Sequence, residues 1–276
     1  MPPPSKRKIG FRRLMVYLGS LVVAILGLWY ALETFPSKGQ QIPVELSREP
    51  MVILRFLPHE SRPKAVILFA SGDGGWGNLE EAIARTLQKQ GYEILGVDST
   101  LYAKTDYNLS VLQSDFDTIA QTALAAYRQN PPPLIIGGYS MGAAQAIAAA
   151  GGPHPPQDMA GLLLIDPRSR GRYGLRSSDQ LNVLPTGPGT FGMDEFAPAM
   201  ASLRIVQWHA QEDDIDSMAW LDAVTAPHRR YVFPSAGHAY RHNRSEFLRH
   251  LAQSVGWILE ASPQHHAAAE QTGAAP

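Results

Sequence analysis

One serine of this 276-residue chain stands in a pattern that is typical of a hydrolase nucleophile. Residues 138–142 read Gly-Tyr-Ser-Met-Gly, which places Ser140 between two glycines. An apolar run precedes the pattern and an alanine-rich run follows it. The pattern therefore predicts a strand, a sharp turn and a helix, with the serine hydroxyl at the apex of the turn. A five-residue pattern of this kind also occurs by chance in glycine-rich chains. Its interpretation as a nucleophile turn therefore depends on catalytic partners elsewhere in the sequence.

A serine hydroxyl needs a base to accept its proton and an acid to orient that base. In the α/β-hydrolase arrangement the chain order is serine, acid, histidine, with each residue placed after a strand. His238 is the candidate base, because it directly follows the last predicted strand, which ends at Phe233. The other eight histidines do not occupy this position.

The acid is expected within residues 212–216, Glu-Asp-Asp-Ile-Asp, after a predicted strand that ends near His209. The ending His-Ala-Gln-Glu-Asp resembles His-Gly-x-x-Asp and favours Asp213. A shift of one residue selects Asp214 instead. Asp166, which follows the preceding predicted strand, is a less common third position.

An oxyanion hole needs two backbone N–H groups that point at the developing negative charge. Met141, the residue after the nucleophile, is expected to supply one of them. The second should come from residues 71–76, Ser-Gly-Asp-Gly-Gly-Trp, and by position we choose the N–H of Asp73. This glycine-rich loop lacks the Lys-Ser/Thr ending of a phosphate-binding P-loop.

Around these motifs, apolar strand-like runs alternate with helix-like runs, which predicts an α/β fold with a mostly parallel sheet and helices on both faces. We expect one α/β-hydrolase domain over residues 50–260 that needs no metal or organic cofactor. Predicted strands cover residues 51–57, 65–70, 92–97, 134–139, 161–165, 203–209 and 230–233. Predicted helices cover residues 79–90, 111–129, 141–150 and 245–259.

The first residues predict a membrane anchor. Residues 1–13 hold five basic residues and no acid, and Leu14–Leu32 holds no charge over nineteen residues. A helix of that length spans about 28 Å, close to the hydrocarbon core of a bilayer. The preceding positive charge predicts a cytoplasmic N-terminus and an exported body. A cleaved signal peptide is the alternative, although no small-residue cleavage site follows the segment. We expect residues 33–49 to be a linker and residues 261–276 a disordered tail.

Composition excludes several function classes. The chain has no cysteine, which rules out disulfides, thiol nucleophiles and cysteine-ligated zinc. The whole chain carries a net charge of −1, so the residues beyond the basic head sum to −6. A mildly acidic body argues against nucleic-acid binding.

Three motifs together resemble the VirJ/AcvB family of bacterial virulence proteins: residues 71–76, residues 96–99 (Gly-Val-Asp-Ser) and residues 138–143. The Gly-Asp-Gly-Gly-Trp element is the most specific of them. The resemblance implies a periplasmic α/β-hydrolase domain that cleaves the aminoacyl ester of aminoacyl-phosphatidylglycerol. It also implies a link to type IV secretion components.

Two features suit a lipid ester at a membrane surface. Four arginines, Arg168, Arg170, Arg172 and Arg176, follow Asp166 within a short stretch and are expected to bind an anionic headgroup. We also expect Trp76 to contact substrate and Asp73 to pair with an aminoacyl ammonium. Two alternatives stay open: a general carboxylesterase or lipase, and a non-catalytic secretion-accessory module on a hydrolase scaffold.

Overall fold

The computed structural model describes residues 39–180, 183–213 and 218–260. The predicted basic head, membrane anchor and tail lie outside the described residues, and so does Asp214. Within the described ranges, no helix combines the length and apolar character needed to cross a membrane. The anchor therefore stays a prediction.

The described residues form an eight-stranded sheet in the order β1-β2-β4-β3-β5-β6-β9-β10. Strands β1 and β2 pair antiparallel, and the six others run parallel to one another. The predicted mostly parallel sheet is thus confirmed. The strands are β1 Gln40–Val44, β2 Met51–Phe56, β3 Val66–Ala70, β4 Glu93–Val97, β5 Leu134–Tyr139, β6 Met159–Ile165, β9 Arg204–Ala210 and β10 His228–Phe233, while β7 Arg170–Arg172 and β8 Thr190–Gly192 form a separate antiparallel hairpin.

Helices cover both faces of this sheet. Strand β3 shows why, since Val66, Leu68 and Ala70 belong to one apolar core while Ile67 and Phe69 belong to the other. The helices are α1 Asn78–Lys89, α2 Ser99–Tyr102, α3 Leu109–Leu124, α4 Met141–Gly151, α5 Ser177–Gln180 and α6 Arg244–Leu259. Helices α3 and α4 pack in the first core, and α1 and α6 pack in the second.

One boundary prediction is wrong. Part of the expected linker, residues 40–44, is strand β1, which pairs with β2 from Gln40 opposite Arg55 to Val44 opposite Met51. The strand is short and contains Pro43, which cannot donate to a sheet ladder and is tolerated on an edge strand. Its sequence therefore reads as a connection, and the domain begins about ten residues earlier than predicted.

The parallel strands bring the candidate catalytic residues to one edge of the sheet. Their registers align the strand ends, with Tyr139 opposite Ile165, and Phe233 opposite Ala210. Since the carboxyl ends of parallel strands meet at the same edge, the residues that follow them form one cluster of loops. The loops after β3, β5, β6, β9 and β10 carry Ser71, Ser140, Asp166, Asp213 and His238.

The crossing of β5 and α4 leaves no room for a side chain at Gly138. A Cβ there would lie 2.3 Å from the carbonyl carbon of Gly142. We expect Gly138→Ala to lower the free energy of unfolding by about 3 kcal/mol, because backbone cannot move aside as a flexible side chain can. Urea denaturation followed by circular dichroism would measure the loss.

Gly256 is the matched control, since it lies inside α6 with no heavy atom within 4 Å of an added Cβ. Gly256→Ala should raise stability by roughly 0.5–1 kcal/mol, because alanine costs less backbone entropy in a helix. Equal effects at the two positions would contradict the tight crossing.

Candidate active site

Ser140 occupies a strained turn between β5 and α4. Its backbone has φ 53° and ψ −114°, and its N–H donates to the carbonyl of Ile165 at 2.8 Å. A non-glycine residue in this region costs on the order of 1–3 kcal/mol and persists where the surrounding packing enforces it. The side chain is buried, and Oγ makes no hydrogen bond to the part of the chain that the structure describes. The predicted strand–turn–helix around the serine is present.

His238 and Asp213 meet beside this turn. Nδ1 of His238 is hydrogen-bonded to Oδ2 of Asp213, whose side chain is 1% exposed. The Tyr139 hydroxyl donates to the His238 carbonyl at 2.9 Å, and the two rings lie 4.8 Å apart between centroids. Tyr139 directly precedes Ser140, so these contacts hold the imidazole next to the nucleophile turn. With Nδ1 facing the acid, Nε2 is the nitrogen left for proton transfer.

The sequence left three acids open, and two of them, Asp166 and Asp213, lie in the part of the chain that the structure describes; of these two, Asp213 is bonded to His238. Asp166 lies close by as a second buried carboxylate: the ligating atoms of Asp166, Asp213 and His238 are all within 4.8 Å of one another. Three such atoms are able to ligate a metal ion, but the Asp213–His238 hydrogen bond is the arrangement of an acid that orients a base.

The glycine-rich loop 71–76 packs against the nucleophile turn. A Cβ on Gly72 would lie 3.6 Å from the Cβ of Ser140, and the Gly75 N–H donates to the Gly72 carbonyl at 3.1 Å. The Gly72 N–H itself donates to Oε1 of Glu80 at 3.3 Å. The Gly72 N–H is therefore already bonded, and the N–H of Asp73 stays the predicted loop donor. Met141 is the first residue of α4, so its N–H has no acceptor within the helix.

Glu80 and Asp98 hold this loop in place, and the sequence reasoning missed both. Glu80 accepts the N–H groups of Gly72 and Gly77 through its two carboxylate oxygens, and Asp98 accepts the Trp76 N–H at 3.2 Å. Burial raises the pKa of the Glu80 carboxyl above its ordinary value, against the opposing effect of these N–H donors. The signal that could have identified Glu80 is a helix-capping pattern: it is a glutamate three residues after Gly77, at the start of α1.

Trp76 packs against the central sheet. Its indole stacks on Phe56 with ring centroids 6.0 Å apart, and its Nε1–H donates to Glu81 at 3.2 Å. A Cβ on Gly96 would lie 2.4 Å from the indole ring. The ring fills a space that Gly96 leaves open against the sheet, and its contact with substrate stays a prediction.

A cleft beside the nucleophile turn opens between loop 71–76 and the insertion, which we define as residues 167–203. Arg168 is buried there, donating from Nη1 to the Asp179 carbonyl at 2.9 Å, with Nη2 lying 3.5 Å from Oδ2 of Asp73. The cleft is lined by Asp73, Met141, Ala144, Gln145, Arg168, Arg170, Gly171, Arg172, Gly174, Asp179, Pro185 and Phe191.

The other three arginines are bonded within the protein rather than held out as a cationic cluster. Arg170 donates to the Pro185 carbonyl and to the Thr190 hydroxyl. Arg172 donates to the carbonyls of Thr186 and Pro188, and Arg176 forms a two-pronged ion pair with Asp106. Arg176 is outside the cleft lining, and the binding of a headgroup by the arginines stays a prediction.

Comparison with known proteins agrees with this geometry. Residues 64–160 match the family described as "Bacterial virulence protein (VirJ)". The resemblance seen in the sequence is confirmed over that stretch. It contains the glycine-rich loop and the nucleophile turn.

Solved structures extend the likeness to the whole described domain. An esterase domain from Rhodothermus marinus is 21% identical to this chain, with a TM-score of 0.58. The match covers 80% of this chain and 97% of the esterase domain. A lidless α/β serine hydrolase from Xanthomonas campestris is 16% identical, with TM-score 0.55, covering 83% and 99%. The fold is that of an α/β-hydrolase. A monoglyceride lipase from Saccharomyces cerevisiae shares this fold at 15% identity, with TM-score 0.56, covering 81% and 97%. No curated protein matches the chain.

The raised pKa of Glu80 makes a pH-dependent prediction about stability. A carboxyl whose pKa is raised by folding stabilises the fold below its unfolded value near 4.5, and this contribution is lost as pH rises through the folded pKa. Glu80→Gln removes this titration. The free energy of unfolding of the variant, relative to that of wild type, should therefore increase as pH rises above about 4.5 and should level off once Glu80 is ionised in the folded wild type. Urea titrations between pH 4 and pH 8 would follow the difference.

Glu60→Gln is the control for this measurement, because Glu60 is an exposed glutamate outside the loop. A Glu80→Gln curve parallel to wild type over the whole range would show that Glu80 does not titrate as its burial demands.

Proposed function

We propose that this protein is a serine esterase that uses Ser140, His238 and Asp213. The observation that carries the proposal is the His238–Asp213 hydrogen bond beside the strained Ser140 turn. The glycine-rich loop against that turn supplies the second requirement, backbone N–H groups close to the nucleophile. The esterases among the structures of this fold favour the same reaction class.

In the proposed reaction, Ser140 Oγ attacks the ester carbonyl carbon while His238 Nε2 accepts the hydroxyl proton. The N–H groups of Met141 and Asp73 stabilise the negative charge on the carbonyl oxygen. The tetrahedral intermediate collapses, His238 protonates the departing alcohol, and an acyl-serine remains. Water, deprotonated by His238, then attacks the acyl-serine and releases the acid. Asp213 keeps the imidazole oriented and stabilises its positive charge.

For the substrate we propose the aminoacyl ester of aminoacyl-phosphatidylglycerol, such as lysyl-phosphatidylglycerol. The VirJ resemblance supports this choice, and so does the cleft beside Ser140, which contains Arg168 and Arg170. Arg168 is suited to the anionic phosphate, because its guanidinium is held rigidly inside the cleft. Asp73 lies 3.5 Å from Arg168, so an aminoacyl ammonium would share this carboxylate with the arginine.

The proposed site of action is the periplasmic face of the bacterial inner membrane. The uncharged Leu14–Leu32 segment after a basic head supports an anchored, exported domain, which would keep the active site near lipid substrate. An interaction with type IV secretion components is proposed on the family resemblance alone.

Labelling with a fluorophosphonate probe tests whether Ser140 is an activated nucleophile. Wild-type protein should be labelled, and Ser140→Ala should not. His238→Ala should label at least about 10³-fold more slowly, because the hydroxyl has lost its base. Ser110, an exposed serine in α3, provides the control variant Ser110→Ala, which should label as wild type does. A wild-type protein that stays unlabelled would support the non-catalytic accessory module instead.

Arg168 provides the test of the anionic substrate. Arg168→Gln should raise KM for lysyl-phosphatidylglycerol in vesicles by about 10-fold to 100-fold, since a hydrogen bond to a charged group is worth about 1.5–3 kcal/mol. Turnover of p-nitrophenyl acetate, a small neutral ester, should change less than about threefold. Steady-state kinetics on both substrates would separate the two effects.

Arg176→Gln is the matched control, because Arg176 pairs with Asp106 outside the cleft lining. Equal losses on both substrates with Arg168→Gln would contradict a role in substrate selection. Hydrolysis of neutral esters with no turnover of the aminoacyl lipid would point to the general carboxylesterase or lipase.

A further inference from the structure

Asp166 is a buried carboxylate that the proposed mechanism does not use. It follows β6 directly, is fully buried, and has its backbone in the left-handed region at φ 44°. Oδ1 accepts the Ala210 N–H at 2.9 Å and lies 3.3 Å from Nδ1 of His209. Oδ2 is buried and has no hydrogen-bond partner among the residues that the structure describes. Buried oxygen atoms of this kind are rare, and each needs an explanation.

The position of Asp166 supplies that explanation. Its carboxylate lies in the same 4.8 Å cluster as the acid and imidazole of the Asp213–His238 pair. The imidazole Nδ1 carries one proton and therefore needs one acceptor, which Asp213 provides. Asp166 offers a second acceptor for the same proton, because one of its carboxylate oxygens lies within 4.8 Å of an imidazole nitrogen.

We propose that Asp166 is a reserve acid, which accepts the His238 Nδ1–H when Asp213 does not. It is a positioning residue, because it acts through His238 and does not contact the substrate. Aspartate tolerates the left-handed backbone better than most residues, and this conformation turns the side chain inward. A purely structural role, in which Asp166 ties down β9 through Ala210, accounts for Oδ1 and leaves Oδ2 unexplained.

The inference rests on the proposed esterase function, and a cycle of four proteins tests it. They are the wild type, Asp213→Ala, Asp166→Asn and the double variant, each assayed for kcat and KM with p-nitrophenyl acetate. Asparagine at position 166 keeps an oxygen for the Ala210 N–H and tolerates the positive φ, so the structural bond is retained.

We expect Asp213→Ala to lower kcat by about 10-fold to 100-fold, instead of the roughly 10⁴-fold loss seen when a triad has a single acid. Asp166→Asn should lower kcat in both backgrounds. The factor by which it does so should be at least about 10-fold larger in the Asp213→Ala protein than in wild type. KM should stay within about threefold throughout. A multiplicative cycle, with the same factor in both backgrounds, would overturn the proposal.

A spectroscopic measurement separates positioning from structure. The downfield proton resonance of the His238 Nδ1–H should persist in Asp213→Ala and disappear in the double variant. Its absence from Asp213→Ala would also overturn the proposal. If that variant does not fold, Asp213→Asn takes its place in the same cycle.

Asp115→Asn is the matched control for removing a buried carboxylate. Asp115 is equally buried and accepts bonds from the Ser47 N–H and the Tyr102 hydroxyl, away from the triad. It should change kcat by the same factor in both backgrounds. Labelling of Ser140 keeps the two proposals apart: a labelled protein with a multiplicative cycle refutes only the reserve acid, whereas an unlabelled protein refutes the esterase.

Discussion

The arrangement of the active site depends on one close backbone contact, the crossing of α4 over β3 and β5. A Cβ on Gly142 would lie 2.2 Å from the Ala70 carbonyl oxygen, and one on Gly138 would lie 2.3 Å from Gly142. Glycine at these positions lets the helix begin directly against the strand ends. The chain then has a single residue in which to turn, and that residue, Ser140, takes the left-handed backbone. The same contact brings the first N–H of the helix close to the glycine-rich loop.

Carboxylates that are buried or half-buried fix the loops around this turn by accepting backbone N–H groups. Glu80 and Asp98 hold the loop before α1, and Asp166 holds the end of β9. Each of these carboxylates loses contact with water on folding. In return it accepts hydrogen bonds from backbone N–H groups that would otherwise have no partner in the loop. The raised pKa of Glu80 shows that burial outweighs its hydrogen bonds for that group. The loops are thereby held rigidly enough to orient the N–H groups that catalysis needs.

The insertion between β6 and β9 gives this fold its own cleft. Arg170 and Arg172 bond mainly to backbone carbonyls of the segment that covers them, so they serve first to shape the insertion. Arg168 differs, because it reaches across to Asp73 in the glycine-rich loop. This ion pair joins the insertion to the loop that is expected to stabilise the oxyanion. In the proposed mechanism, one buried arginine therefore links the selection of substrate to the stabilisation of charge. Contacts of this kind are specific to the site of one protein, because the same fold supports many different reactions.

The sequence by itself determined the parallel sheet, the nucleophile turn and the order of the catalytic residues. Hydrophobic periodicity fixes which faces are buried, and the β5 strand was predicted with the bounds that the structure has, Leu134–Tyr139. Local chemistry also selected Ser140 and His238 as candidates, since each follows a strand with a clear apolar pattern. The short strand β1 was missed because its five residues include a proline and carry little apolar pattern.

Tertiary structure alone decided which groups meet. A shift of one residue turns a side chain to a different direction, so no local pattern separates Asp213 from its neighbours, whereas the contact with His238 does. The same reason explains Trp76, whose indole is drawn to the space that Gly96 leaves on a distant strand. It also explains the arginines, whose partners Asp73, Asp106 and Asp179 come from three separate segments. Sequence patterns report burial and backbone geometry, while pairing between distant side chains depends on how the whole chain packs.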